Sequence, residues 1–169
     1  MTDVITSDAP EWERKLSAIL PLFGHRNWIV VADSAYPAQS KPGIETIVAN
    51  TDQIQAVRKV LEAITACKHI RANVYVDQEL DFVAEYDAQG ILNYRMHLED
   101  LLASASAKRL PHEQIIQKLD QSAEVFRILI IKTDMTIPYT TVFFELDCGY
   151  WNDGAEERLR QAMLVSDPR

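Results

Sequence analysis

The chain has two cysteines in 169 residues, Cys67 and Cys148. They are far apart and show no C-x-x-C spacing, which excludes a clustered zinc site or a dithiol redox motif. Both are expected to be small buried hydrophobes. Basic charge is also scarce. Seventeen Lys and Arg against 25 Asp and Glu leave a formal net charge of -8, which argues against a nucleic-acid footprint. No apolar run approaches the roughly 18–20 residues of a membrane span. The N-terminus, Met1-Thr2-Asp3-Val4, lacks the basic-then-apolar order of a secretory signal, so cytoplasm is the expected compartment. There is no internal repeat, low-complexity tract or linker, and no phosphate loop or nucleophile elbow.

What is present reads as one domain over residues 1–169, with 47% hydrophobic and 25% charged content. Residues 1–7 are polar and expected to be loose. Asp8 can cap a first helix with Pro10 and Glu11 in its opening turn, and Gly24 is a good terminator. Trp28–Ala32 and Ile44–Val48 read as strands around a Pro- and Gly-bearing loop. Thr51 or Asp52 caps a helix to about Ala66. Asn73–Val76 is a third strand, and Leu80–Tyr86 fits either a strand or a helix. Helices follow over Leu92–Ala105 and His112–Ala123, the second opened by Pro111. Val125–Ile131 is an apolar run expected as a central strand. Thr140–Leu146 is β-branched and aromatic and is expected to pair with it as a closing hairpin. Ala155–Leu164 forms a C-terminal helix. Strands alternating with helices predict a three-layer α/β/α sandwich with a mixed sheet.

Two stretches carry polar residues at strand ends. In the first, Gly24-His25 precedes the apolar strand, and Asp33 ends it before a turn through Pro37. That exit lies at the carboxyl end of a strand, where open α/β sheets place their ligands. The second is Thr133-Asp134-Met135-Thr136-Ile137-Pro138-Tyr139-Thr140-Thr141, leading into Val142-Phe143-Phe144.

Together these stretches resemble the RbsD/FucU family of D-ribose pyranases and L-fucose mutarotases. The family carries a G-H pair, a short apolar strand, an A-D ending and a proline turn. It carries T-G-E-x-x-P-Y-x-N near the C-terminus. The resemblance spans roughly residues 10–146, leaving 147–169 as a C-terminal extension. It implies an RbsD-like fold and a subunit that associates into a ring, pentamer or decamer, with sites near subunit boundaries. It also implies a free ribose- or fucose-like monosaccharide as substrate, with no metal and no organic cofactor.

The implied activity is acid–base opening and reclosure of a hemiacetal, interconverting anomers or pyranose and furanose forms. One group takes the anomeric hydroxyl proton while another donates to the ring oxygen. Histidine, with an unperturbed pKa of about 6.5, suits either role near neutrality. By resemblance His25 is the acid/base, Asp33 an orienting or sugar-binding carboxylate and Tyr139 a substrate-contacting hydroxyl. His112 matches the start of an H-E-x-x-K-like helix segment that has lost its lysine here, and is a substrate-binding candidate or a plain helix-start residue. His69 and His97 carry no motif. Thr141 replaces the family asparagine at a sugar-binding position, offering one short hydroxyl in place of an amide. A non-catalytic sugar- or metabolite-binding protein of the same fold is therefore the alternative to a mutarotase.

Overall fold

The computed structural model describes residues 8–165; the N-terminal stretch 1–7 expected to be loose lies outside them. In chain order the elements are α1 (Glu11–Ile19), β1 (Trp28–Ala32), β2 (Ile44–Val48), α2 (Gln53–Ala66), β3 (Ile70–Asp77), α3 (Ile91–Leu102), β4 (Lys108–Leu110), α4 (His112–Ala123), β5 (Ile128–Lys132), β6 (Val142–Cys148) and α5 (Asp153–Val165). Short 3₁₀ turns occupy Leu20–Leu22 and Gln78–Phe82.

The six strands form one mixed sheet in the order β2-β5-β1-β6-β3-β4. β1, β2 and β5 run parallel, as do β3 and β4, while β6 runs antiparallel between β1 and β3. Five strands therefore end on one edge of the sheet, where β6 begins. The expected β5–β6 hairpin does not form. β1 lies between them: helices cover both its faces, and its backbone N–H and C=O groups, cut off from water, pair with β5 on one edge and β6 on the other.

Period-two alternation sends successive side chains to opposite layers. Ile29, Val31, Leu129, Ile131, Val142, Phe144 and Leu146 pack under the helical stripes Trp12/Leu16/Ile19, Val57/Val60/Ile64 and Tyr94/Leu98/Leu102. Trp28, Val30, Ile128, Ile130 and Phe143 face Ile115, Leu119 and Ala123 of α4. The result is the three-layer sandwich, with α1, α2 and α3 on one side and α4 on the other.

Local differences have simple causes. Pro10, not Asp8, occupies the first cap, and its carbonyl accepts from Glu13 N and Arg14 N. Pro21 draws the end of α1 into a 3₁₀ turn that closes at extended Phe23, before Gly24 is reached. Asp52 is the α2 cap, its carboxylate accepting from Gln55 N at 3.0 Å. Val125 is exposed in the turn after α4, so β5 starts three residues later than its apolar run. The cysteines are free and only half-buried.

Candidate active site

A cavity of about 550 Å³ opens at the carboxyl edge of the sheet, between the loop after β1, the end of β3, the start of α4 and the loop before β6. Its polar lining includes Asp33, Asp77, His112, Tyr139 and Thr141. A groove of about 660 Å³ between α2 and α3 shares only Ile137 with it and is not framed by strand ends.

Asp77 ends β3 and is 1% exposed. Its Oδ2 lies 3.0 Å from His112 Nδ1, the first residue of α4. A carboxylate can only accept, so Nδ1 carries the proton and Nε2 is the free nitrogen. Burial pushes the Asp77 carboxyl up to about 6; His112 pulls it down, and Glu79 and Asp33 add a smaller upward push. His112 is held by its backbone as well, its N–H donating to both Glu79 carboxylate oxygens at 3.1 and 3.0 Å. Tyr139 meets the imidazole edge-on, with ring centroids 5.8 Å apart.

Asp33 is fixed by the turn it starts. Its Oδ1 accepts from Ala35 N at 2.9 Å, and its Oδ2 accepts from Thr141 Oγ1 at 3.2 Å. Thr141 is buried, and it in turn takes a 3.4 Å bond from Asp33 N.

The loop before β6 is held from beneath by Gln53, fully buried at the start of α2. Gln53 Nε2 donates to Val31 O and Thr140 O, and its Oε1 accepts from Thr133 Oγ1. Tyr94 of α3 adds a 2.6 Å bond to Thr140 O. Ser34 N and Oγ both donate to Met135 O, tying the two site loops together. Tyr139 adopts φ 59° at the lip of this loop, a left-handed conformation rarely taken by a bulky residue.

The RbsD / FucU transport protein family model matches residues 10–148. The chain belongs to the RbsD/FucU family. Among solved structures it is similar to Bacillus subtilis RbsD complexed with D-ribose, with a TM-score of 0.57 and 18% identity over 79% of this chain and 91% of that one. It is also similar to the fucose mutarotase in complex with L-fucose from Streptococcus pneumoniae, at TM-score 0.52 and 14% identity over 87% and 98%. FucU from Bifidobacterium longum gives TM-score 0.54 at 14% identity over 79% and 94%. No curated protein sequence matches the chain. At these identities the structures establish the RbsD/FucU fold.

Four of the five site residues expected from the family motifs thus share one cavity: Asp33, His112, Tyr139 and Thr141. His25 does not join them. It precedes β1 while Asp33 follows it, so the five-residue strand, about 17 Å long, separates them. His25 sits on the opposite sheet edge, its side chain mostly exposed and 2.8 Å from Asp147. His69 braces the end of α1 through the carbonyls of Leu20 and Phe23. His97 lines the α2–α3 groove.

Sequence reasoning missed Asp77 and Gln53. The signal for Asp77 was available: Val74-Tyr75-Val76-Asp77 repeats the apolar-strand-then-aspartate pattern of Val30-Val31-Ala32-Asp33. Gln53 offered no such cue, since its partners come from β1 and from the loop before β6. Among the described residues no group of three or more His, Cys, Asp or Glu could hold a metal ion. No described helix is long and apolar enough to cross a membrane.

Proposed function

We propose that this chain is a monosaccharide mutarotase or pyranase acting on a free ribose- or fucose-like sugar. The observation that carries this reading is the Asp77–His112 pair in the strand-end cavity, facing Asp33, Tyr139 and Thr141. Family membership and neighbours solved with D-ribose and L-fucose support it.

The chemistry follows from the groups present. One base removes the anomeric O–H proton, the C1–O bond to the ring oxygen breaks as C1=O forms, and an acid protonates the ring oxygen. Reclosure on either face reverses these transfers. His112, with Nδ1 bound to Asp77, presents Nε2 for one of them. Asp33 accepts from sugar hydroxyls, and the Tyr139 hydroxyl can donate or accept. His25 serves as the second proton-transfer group only if a second copy brings its amino-edge face to this cavity. On this reading the site lies at a subunit boundary and the copies associate head to tail into a ring. We assign the C-terminal extension expected over 147–169 to the same single domain, with its start moved to 149 because the family match and β6 both run to Cys148, and we assign the protein to the cytoplasm.

One observation favours the binding-only alternative: Thr141, where the family carries asparagine, spends its hydroxyl on Asp33. NMR magnetisation transfer between sugar anomers separates the two. Acceleration for D-ribose or L-fucose that is lost in His112→Ala establishes the enzyme. Ligand line-broadening without acceleration establishes the binding protein, and neither effect with any sugar removes the mutarotase and the sugar-binding readings together.

A further inference from the structure

The cluster around His25 is more ordered than its exposure suggests. His25 lies in the turn between α1 and β1, which is pinned to β6 by Arg26 N to Leu146 O and Leu146 N to Asn27 O, at 2.9 and 2.8 Å. Arg26 holds φ 74°, a strained setting for a non-glycine residue, and its guanidinium lies over the Phe126 ring. Across the antiparallel β3–β6 pair, Arg71 stands directly opposite Asp147. Its Nη2 and Nε reach Asp147 Oδ2 at 2.9 and 3.3 Å. Asp147 Oδ1 then takes two bonds, from Cys148 N at 2.8 Å and from His25 Nδ1 at 2.8 Å.

The donor and acceptor inventory settles the tautomer. Asp147 is an acceptor, so His25 Nδ1 must carry the hydrogen. Arg26 Nε–H, 3.2 Å from His25 Nε2, can only donate, so Nε2 must present its lone pair. Arg71 and His25 therefore both donate into Asp147, and Arg26 donates into His25, which leaves the imidazole protonated at Nδ1 with its lone pair on Nε2. Burial opposes the Asp147 charge, but Arg71, the Cys148 amide and His25 outweigh it and hold the carboxyl below its usual range. The other charged groups at this recess are Asp153, Glu156 and Arg160 of α5. Glu156 is occupied by Trp151 Nε1 and Arg160 Nε, which leaves Asp147 as the carboxylate bonded to the imidazole.

We propose that Asp147, clamped by Arg71, is a positioning residue that fixes His25 as the Nδ1–H tautomer and so makes Nε2 the proton acceptor toward a sugar held in the cavity of a second copy. This rests on the mutarotase reading above. Arg26 occupies the Nε2 lone pair until a sugar hydroxyl replaces it. On ring opening Nε2 takes the anomeric proton, and Asp147 then faces an imidazolium it stabilises without itself gaining a proton. Asp147 is the residue before the last position of the family match, and the shell is built from β3 and β6, so its geometry is as rigid as the sheet.

The test combines ¹⁵N-histidine NMR of the full-length protein with anomer-exchange kinetics. In wild type the His25 signal should be that of an imidazole protonated at Nδ1. In Asp147→Ala it should move to the Nε2–H form that free histidine favours, and kcat should fall about 10- to 100-fold with KM within about twofold. Asp147→Asn, of the same shape, guards against a folding defect and should give a smaller loss. An Nε2–H signal in wild type overturns the proposal, as does a tautomer switch in Asp147→Ala with kcat unchanged. A His25→Ala rate equal to wild type overturns the use of His25 as a base. A wild type that accelerates no sugar overturns the mutarotase reading itself, whatever the tautomer.

Discussion

Asp33 and Thr141 hold each other from adjacent strands: the hydroxyl donates to the carboxylate at 3.2 Å and accepts from the same residue's N–H at 3.4 Å. Asp33 follows β1 and Thr141 precedes β6, so this double contact sets the orientation of the carboxylate at the cavity wall. Thr141→Val keeps the shape and removes both bonds. We expect it to cost about 0.5–1.5 kcal/mol of stability, because the half-buried Asp33 loses two bonds but can still reach water in the open cavity. KM for the sugar should rise by more than kcat falls, as read by anomer-exchange kinetics beside urea unfolding.

The Asp77–His112 pair predicts a conflict between stability and activity. The Asp77 carboxyl is raised to about 6, chiefly by burial, so the folded state holds its proton more tightly than the unfolded chain does. Its contribution to stability is thus full below about pH 3.8 and is lost as pH rises to about 6. Asp77→Asn removes that titration. The melting-temperature difference between variant and wild type should therefore shift in favour of the variant between pH 4 and pH 7.5. The same substitution should lower kcat, since the amide no longer supports charge on His112. A stability difference independent of pH would contradict the assignment.

Gln53 is a buried polar residue whose three bonds join β1, Thr133 and Thr140. Gln53→Leu removes one bond each from Val31 O, Thr140 O and Thr133 Oγ1, of which Thr140 O keeps Tyr94 and Thr133 Oγ1 keeps Ala32 O, and is expected to cost about 1–3 kcal/mol. Amide exchange should accelerate through the loop that carries Tyr139 while α4 stays protected. Uniform acceleration would mean that Gln53 supports the whole core and not this loop.

Gly149 follows β6 at a point where a Cβ would lie 2.8 Å from Lys68 O and 2.9 Å from Ile70 N. These are backbone atoms and cannot swing aside. Gly149→Ala should destabilise the protein by about 1–3 kcal/mol, measured by chemical denaturation. The loss should centre on the β3–β6 end that carries Asp147.

Much of this was legible in the chain. The residues of β1, β2, α2 and α4 stand out because each has a clean apolar period and a nearby cap or proline. The cavity residues Asp33, Tyr139, Thr141 and His112 were reachable from two motifs. The rest depends on distant pairing. β4 is a three-residue edge strand, Lys108–Leu110, with too little apolar content to announce itself. The place of β6 beside β1 is decided by which strand covers the second edge of β1, a choice local patterns do not encode. Asp77 acquires its role from a histidine 35 residues away, and His25 its partner from 122 residues away. The same separation explains why His25, eight residues before Asp33, was grouped with it: sequence spacing does not reveal that a strand stands between them.

β6 begins beside Thr141 at one site and ends with Asp147 and Cys148 at the other. In the head-to-tail assembly proposed here, it therefore acts as a ruler. Its seven residues, about 24 Å long, fix the stride from one reaction centre to the next around the ring. Loop insertions on either edge would leave that stride intact. A one-residue insertion within β6 would turn Asp147 to the other face and uncouple every copy from its neighbour.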